Sequence, residues 1–384
     1  MGLIMAEAAR PLKILHVFRS PVGGLFRHVL DLVKGQTERG HRVGIVADSL
    51  TGGSWADAEF ARLSGSLPLG ATRLPMGRQL DWRDFSATLA VRHRIAATSP
   101  DIVHGHGAKG AAYARLAAPT DGPVRAYTPH GGSLHYRPGT PAGLVYLTLE
   151  KILRPRTDLF LFESAYAAAL YRERVGPTEP GLARVVHNGV SIAEWSGIAD
   201  AADATDLVFV GELRELKGVH ILLDAIAALR GSGLAVTATM VGDGPDGEKL
   251  RAQCTRLGLD QAVRFTGPLP ARDAFARGHI LVIPSLGESL PYIVLEAAAA
   301  SKPMIVTNVG GIPEIYGSLG NQLIAPSDRA ALIDAVGSAV KNPETMRPVA
   351  EALRERIGTH FSIETMVEGG LAAYRNAVAA KPRA

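Results

Sequence analysis

Two glutamates eight positions apart, Glu288 and Glu296, frame the segment 284–297, PSLGESLPYIVLEA. The residues just before it, 279–283, form a short apolar run of the kind that makes a buried strand. Pro291 suits a first helical turn and 292–301 is rich in Leu and Ala, so the pattern predicts Glu288 in a loop and Glu296 inside a helix. Helical side chains lean toward the N-terminus, so Glu296 would point back at the loop from about 7 Å down the axis, at ~1.5 Å per residue. The helix tip between the carboxylates offers N–H groups and the positive end of a dipole, and strand-to-helix turns of α/β sheets are where ligands bind. A diphosphate at that tip would set one hydroxyl-bearing ring near each carboxylate. Taken alone, the pair is also what a solvated loop carboxylate and an ordinary amphipathic helix would leave.

Other residues bear on the same chemistry. The segment 210–218, VGELRELKG, places Arg214 and Lys217 where a strand ends. A planar guanidinium fork and an ammonium point charge both suit a diphosphate, and surface cations in a loop fit the segment equally. Gly23 and Gly24 follow the first strand pattern and precede a helical one at 25–39, so their backbone could approach a phosphate or sugar. The run 241–247, VGDGPDG, satisfies dinucleotide glycine spacing but follows the second strand of its domain, and a turn with an acidic cap explains it as well. No Asp-x-Asp occurs, so no obvious carboxylate pair awaits a divalent cation, and His104, His106, His130, His135 and Cys254 lack zinc-framework spacing. No metal or cofactor is expected, and the protein's own cations must serve. His130, in YTPHGG at 127–132, reads as a polar group presented at a strand end with two glycines allowing close approach. The other histidines are expected to be satisfied or exposed.

The elements that position these groups repeat along the chain. Strand patterns fall at 13–18, 42–47, 72–75, 101–104, 124–128, 158–162 and 183–187, then at 207–210, 235–241, 263–266, 279–283, 303–307 and 322–324, with helical patterns between most of them. That alternation predicts an α/β chain with two doubly wound parallel sheets, a linker at 191–206 and a final helix at 362–379. Two such domains would leave a cleft where a substrate pair can meet. The length of 384 residues accommodates both, and 47% apolar with 20% charged residues excludes wholesale disorder. The single cysteine permits no internal disulfide and fits a reducing compartment. No apolar run reaches membrane-spanning length, and residues 1–10 lack signal-peptide character, so neither spanning nor secretion by that route is expected. Residues 1–190 hold 23 Lys and Arg against 15 Asp and Glu, a balance of +8; residues 191–384 hold 18 against 22, a balance of −4. Basic residues cluster at Arg27, His28, Lys34, Arg39 and Arg42, and at Arg78, Arg83, Arg92, His93 and Arg94. These are either solvated faces or a surface for an anionic membrane or acidic acceptor; no nucleic-acid motif accompanies them.

Taken in order, Gly23 and Gly24, His130, NGV at 188–190, 211–218, 241–245, FTG at 265–267, 284–288, Glu296 and GGIPE at 310–314 resemble the retaining glycosyltransferases of family 4, over 13–374. The resemblance implies a GT-B fold of two Rossmann-like domains facing a central cleft. The first would span 1–190, with 362–384 packing back on it, and the second, nucleotide-sugar-binding one 191–361. It implies that Glu296 holds the nucleotide ribose, and that Lys217, Arg214 and main-chain N–H groups around Ser289, Leu290, Tyr292 and Ile293 hold the diphosphate. Thr266 and Leu269 would meet the nucleobase, Glu288 and His130 the transferred sugar, and Gly24 the phosphate. Gly23, Arg27, Arg78, Arg83 and Arg92 would lie toward the acceptor or membrane. The implied activity is metal-independent, retaining transfer of a hexose from a nucleotide sugar to a lipid-linked or polysaccharide acceptor, in cell-surface polysaccharide or lipopolysaccharide synthesis at the cytoplasmic face of a membrane. Alternatives on the same fold are a nucleotide-sugar epimerase, a glycan phosphorylase or a non-catalytic nucleotide-sugar-binding protein. Two positions depart from the family pattern. Glu212 stands where many members have Arg, leaving Arg214 as its candidate replacement, and Pro291 stands where Gly is common and cannot donate a hydrogen bond.

Overall fold

The computed structural model describes residues 10–179 and 182–381. The amino-terminal segment 1–9 and the last residues of the range ascribed to the first domain, 382–384, lie outside the described residues. One unit runs to His187 and resumes at Ile363; the other spans Asn188–Ser362.

In the first unit, β1 (Lys13–Phe18), β2 (Arg42–Asp48), β3 (Ala71–Leu74), β4 (Ile102–His106), β5 (Val124–Thr128), β6 (Leu159–Phe162) and β7 (Ala183–Val185) form one sheet in the order β3-β2-β1-β4-β5-β6-β7. Every pairing in it is parallel. The second unit repeats the plan with β8 (Thr205–Val210), β9 (Ala238–Val241), β10 (Val263–Gly267), β11 (Gly278–Ile283) and β12 (Met304–Val306), in the order β10-β9-β8-β11-β12, again parallel throughout. Strands β4, β5, β6 and β9 are buried along their whole length, and β6, LFLF, accordingly reads as a continuous apolar run rather than an alternation. Strand order reverses between β1 and β4 and between β8 and β11. Those reversals are where such sheets open a crevice at their carboxyl ends.

Two expectations are corrected. Residues 322–324 form no strand: a 3-10 turn, Gly317–Gln322, ends there, and Ile324 makes a single bridge to Thr307. The turn takes up Gln322 itself, so only Ile324 is left to pair. Residues 191–204 are not a free linker, because they are fastened to the second unit. Trp195 is buried with its ring 5.6 Å from that of Phe275, and Asp200 accepts from Lys302 at 2.6 Å. The Ala- and Asp-rich composition concealed these anchors.

The last helix, Ile363–Ala380, lies on the first unit, burying Val367, Leu371 and Tyr374 with Leu12, Ile14, Leu32 and Ile102. Full burial of Val367 and Leu371 contributes about 1.5–3 kcal/mol each. Gly35 of the helix Gly23–Glu38 permits the approach, since a Cβ there would lie 2.5 Å from a methyl of Val367. Arg39 adds ion pairs to Glu364 and Glu368, and Lys381 Nζ donates to the carbonyl of Pro123 at 2.8 Å.

Beneath the turn after β5 lies a buried ionic group. Arg115 Nη1 donates to Glu150 Oε2 at 3.0 Å, while Tyr127 and Ser133 donate their hydroxyls to Glu150 Oε1, each at 2.8 Å. The guanidinium sits 4.3 Å from the centre of the Tyr127 ring. Removing one charge leaves the other buried without its counter-ion. Arg115→Met is therefore expected to destabilise the first unit by about 3–5 kcal/mol, and the double variant Arg115→Met/Glu150→Leu by clearly less. Urea unfolding of both variants checks the ordering.

Candidate functional site

In the second unit the chain leaves β8 through Gly211, makes a 3-10 turn at Glu215–Lys217 and enters the helix Val219–Gly231 through Gly218, at φ +69°. A Cβ on Gly218 would lie 1.9 Å from the carbonyl oxygen of Pro284, so the loops after β8 and β11 meet backbone to backbone. Leu286 N–H seals them by donating to Leu216 O at 2.8 Å. The consequence is that Lys217 Nζ donates to Glu288 Oε1 at 2.6 Å, and Ser285 Oγ donates to the same oxygen at 2.7 Å.

The rest of the 284–291 loop is pinned from three directions. Thr307 Oγ1 donates to Ser285 O at 2.6 Å, Asn188 Nδ2 to Leu290 O at 2.8 Å, and Gly311 N to Ser289 O at 2.7 Å. The loop delivers the chain to the helix Tyr292–Ala299, whose N-cap is Pro291 and which no side chain caps. Glu296 lies in this helix, 8% exposed like Glu288, and Tyr292 is buried while Ile293 is half-buried. Lys217, Glu288, Ser289, Leu290, Tyr292, Ile293 and Glu296 are thus held at the carboxyl ends of β8 and β11, where the strand order reverses. Thr266 is exposed at the end of β10, with Leu269 half-buried beyond it. Arg214 is turned toward Glu212, 3.5 Å away.

The glycine run 241–247 has a packing explanation. A Cβ on Gly242 would lie 1.9 Å from Gly211 O, and one on Gly244 2.5 Å from Leu213 O. Asp246 Oδ2 accepts from Glu215 N at 2.6 Å. The run supports the 211–215 loop from beneath.

In the first unit Gly23 and Gly24 are exposed at the start of the helix Gly23–Glu38, and Arg27 pairs with Asp31 at 2.7 Å. Arg78, Arg83 and Arg92 are exposed on the loop and helix beyond β3, beside Trp82 and Phe85, which are 78% and 73% exposed. His130 follows β5 with φ +50°, ahead of Gly131 at +73° and Gly132 at +32°. The left-handed conformation costs a non-glycine residue about 1–2 kcal/mol and aims the ring inward. His130 Nε2 lies 3.1 Å from His106 Nδ1, His106 Nε2 lies 2.9 Å from His16 Nδ1, and His16 Nε2 lies 2.9 Å from Gln36 Oε1. His104 bonds Tyr374 at 2.6 Å and Thr128 at 2.9 Å, and the His28 ring stands edge-on to His130 at 4.7 Å.

Burial pushes His16 down to about 4 and holds His104, His106 and His130 well below the ordinary imidazole value. Two triplets, His16/His104/His106 and His28/His106/His130, bring ring nitrogens within 4.8 Å of one another, close enough for an ion. In the structure, two pairs of those nitrogens are engaged with each other. His16 and Gln36 were missed by sequence reasoning, although a histidine interrupting the apolar run KILHVF of β1 is itself the signal of a buried polar group needing a partner.

The family model described as Glycosyltransferase Family 4 matches residues 22–194, and that described as Glycosyl transferases group 1 matches residues 204–342. The chain is 29% identical over 383 residues to a glycogen synthase of Mycobacterium tuberculosis, covering 92% of this chain and 91% of that protein. It is 27% identical over 204 residues to an O-antigen chain mannosyltransferase C of Escherichia coli, 51% of this chain and 53% of that one. Among solved structures, a sucrose-phosphate synthase from Thermosynechococcus elongatus aligns with a TM-score of 0.77 at 19% identity, over 97% of this chain and 100% of the other.

The buried imidazoles make stability pH-dependent. Their folded values lie below the ordinary imidazole value of about 6.5, so below that pH the unfolded chain binds more protons. Stability is present above that value and is lost as pH falls toward the folded ones, about 2 kcal/mol from His16 alone by about pH 5. Urea midpoints at about pH 7 and 5, followed by tryptophan fluorescence in a Trp195→Phe background so that Trp55 and Trp82 report the first unit, are expected to show this fall.

Proposed function

Because the chain belongs to the family 4 glycosyltransferases and has the GT-B architecture of two Rossmann-like domains, we propose that it moves a hexose from a nucleotide-diphosphate sugar to a lipid-linked or polysaccharide acceptor, retaining the anomeric configuration and needing no metal ion. The observation that carries this reading is the Lys217–Glu288 pair at the strand-order reversal of the second sheet. A diphosphate arriving at the tip of the helix Tyr292–Ala299 competes for Lys217 and releases Glu288 to accept hydrogen bonds from sugar hydroxyls. Glu296 takes the ribose hydroxyls, main-chain groups from Ser289 to Ile293 take phosphate oxygens, and Thr266 and Leu269 border the base. Arg214 contributes once it leaves Glu212.

On the first unit, His130 addresses the transferred sugar and Gly23, Gly24 and Arg27 the acceptor side. With no protein nucleophile assigned, departure and attack occur on one face of the sugar, the diphosphate acting as the local base. The lack of any Asp-x-Asp in the sequence supports charge neutralisation by Lys217 and the helix dipole. The names of the glycogen synthase and the O-antigen mannosyltransferase support a glycan acceptor and cell-surface polysaccharide or lipopolysaccharide synthesis.

No helix among the described residues is long and apolar enough to cross a membrane. Exposed Trp82, Phe85 and Leu89 beside Arg78, Arg83 and Arg92 support a peripheral seat on an anionic membrane, at its cytoplasmic face.

Glu288→Gln is expected to lower kcat, and Glu296→Ala to raise the donor KM, each by about 2–4 kcal/mol of lost interaction, with turnover indifferent to chelators. Kinetics with the donor chosen from a thermal-shift panel of nucleotide sugars check this, and unchanged constants in both variants would remove the assignment. Trp82→Ser/Phe85→Ser is expected to weaken co-sedimentation with phosphatidylglycerol vesicles about tenfold or more; undiminished binding would move the membrane surface elsewhere.

A further inference from the structure

The line of contacts behind His130 has a direction. Gln36 Oε1 can only accept, so His16 Nε2, 2.9 Å away, must carry the proton of that hydrogen bond. A neutral imidazole has one N–H and one lone pair, which leaves His16 Nδ1 as an acceptor. His106 Nε2, 2.9 Å from it, must then be the donor, and His106 Nδ1 the acceptor. His130 Nε2, 3.1 Å from that nitrogen, must donate in its turn, and the lone pair of His130 is left on Nδ1. His16 and His106 are buried, His130 is half-buried, and desolvation holds all three well below the ordinary imidazole value, so no second proton blurs the pattern.

Gln36 is suited to set the polarity. It is fully buried, its backbone oxygen accepts from Arg39 N at 3.2 Å and His41 N at 3.1 Å, and it lies in the helix Gly23–Glu38 clamped by the last helix. Its Oε1 is the atom that faces His16, and its Nε2 makes no hydrogen bond of regular geometry. The branch through His104 does not oppose this, since its partners Tyr374 and Thr128 are hydroxyls that can donate or accept. We propose that Gln36, acting through His16 and His106, fixes His130 as the Nε2–H tautomer, so that Nδ1 of His130 accepts a hydrogen bond from a hydroxyl of the transferred sugar. Gln36 and His16 are then positioning residues for the transfer. The sugar contact rests on the proposed function; the tautomer does not.

Long-range proton–nitrogen correlation spectra of the full chain with nitrogen-15-labelled histidine read the tautomers directly. His16, His106 and His130 are all expected as Nε2–H in the wild type. An Nε2 of His130 that carries no proton, whether because Nδ1 holds it or because a metal ion has taken its place, overturns the proposal without any variant being made. Gln36→Met removes the acceptor and is expected to give mixed tautomers at His130 and about a tenfold loss of kcat with little change in donor KM. Gln36→Glu keeps an acceptor facing His16 and is expected to restore the tautomer and most of the turnover. Scrambled tautomers with wild-type kcat would end the positioning role. A wild-type enzyme that transfers no sugar while showing the expected tautomers would fail the functional reading and leave the tautomer assignment standing.

Discussion

The contact on which the second unit's chemistry depends is that between Gly218 and the carbonyl of Pro284. Only a residue without a side chain lets the turn after β8 press on the strand end of β11, and a Cβ would stand 1.9 Å from that oxygen. Once the two backbones touch, Lys217 and Glu288, 71 residues apart in sequence, are forced into a 2.6 Å hydrogen bond. The same device recurs behind the loop. Gly310, at φ +60°, sits where a Cβ would lie 2.0 Å from Glu288 O, and Gly242 presses on Gly211 O. Glycine here sets distances between loops, and the charged side chains inherit their geometry from those distances.

The first unit handles polarity differently. Where the second unit leaves Lys217 and Arg214 partly exposed beside carboxylates, the first buries His16, His104 and His106 as neutral imidazoles and encloses its Arg115–Glu150 pair. A neutral relay has no charge to desolvate, so it can sit in the core once its imidazole N–H groups find acceptors. It also confers rigidity. Tyr374 of the last helix, Thr128 of β5 and Gln36 of the helix after β1 all end on this cluster, and it therefore ties the carboxyl-terminal segment to the strand that presents His130.

How much of this was legible follows from sequence separation. The strands were readable because buried parallel strands are locally apolar, and the predicted runs coincide with β1 to β12 to within a few residues. The failed run at 322–324 had the turn Gly317–Gln322 against it, which takes up its first residue. The loop after β11 was readable because strand, proline and helix are contiguous. The histidine relay was not, because its contacts span 20, 90 and 24 residues and no local spacing marks them. Trp195 escaped for a related reason: one large apolar residue in a small-residue stretch has no period, yet it is enough to fasten that stretch to a core.

The two departures at the proposed diphosphate grip can be weighed by the same physics. Pro291 occupies the N-cap, at φ −72°, a position whose N–H lies outside the helical bonds that follow. Its ring therefore removes one potential donor to a phosphate but fixes the entry angle of the helix, and the later amides keep their direction. Glu212 matters more, because it stands 3.5 Å from Arg214 and offsets the one cation that could replace the expected arginine. Both groups are substantially exposed, so that pairing is weak and a dianionic ligand outcompetes it readily. Lys217 faces a closer rival in Glu288, whose bound oxygen is also held by Ser285. Donor binding in the proposed mechanism is then an exchange of anions at Lys217, and the carboxylate set free is the one required at the sugar. A nucleoside lacking its phosphates would leave the Lys217–Glu288 pair intact, so the pair couples recognition of the diphosphate to the availability of Glu288.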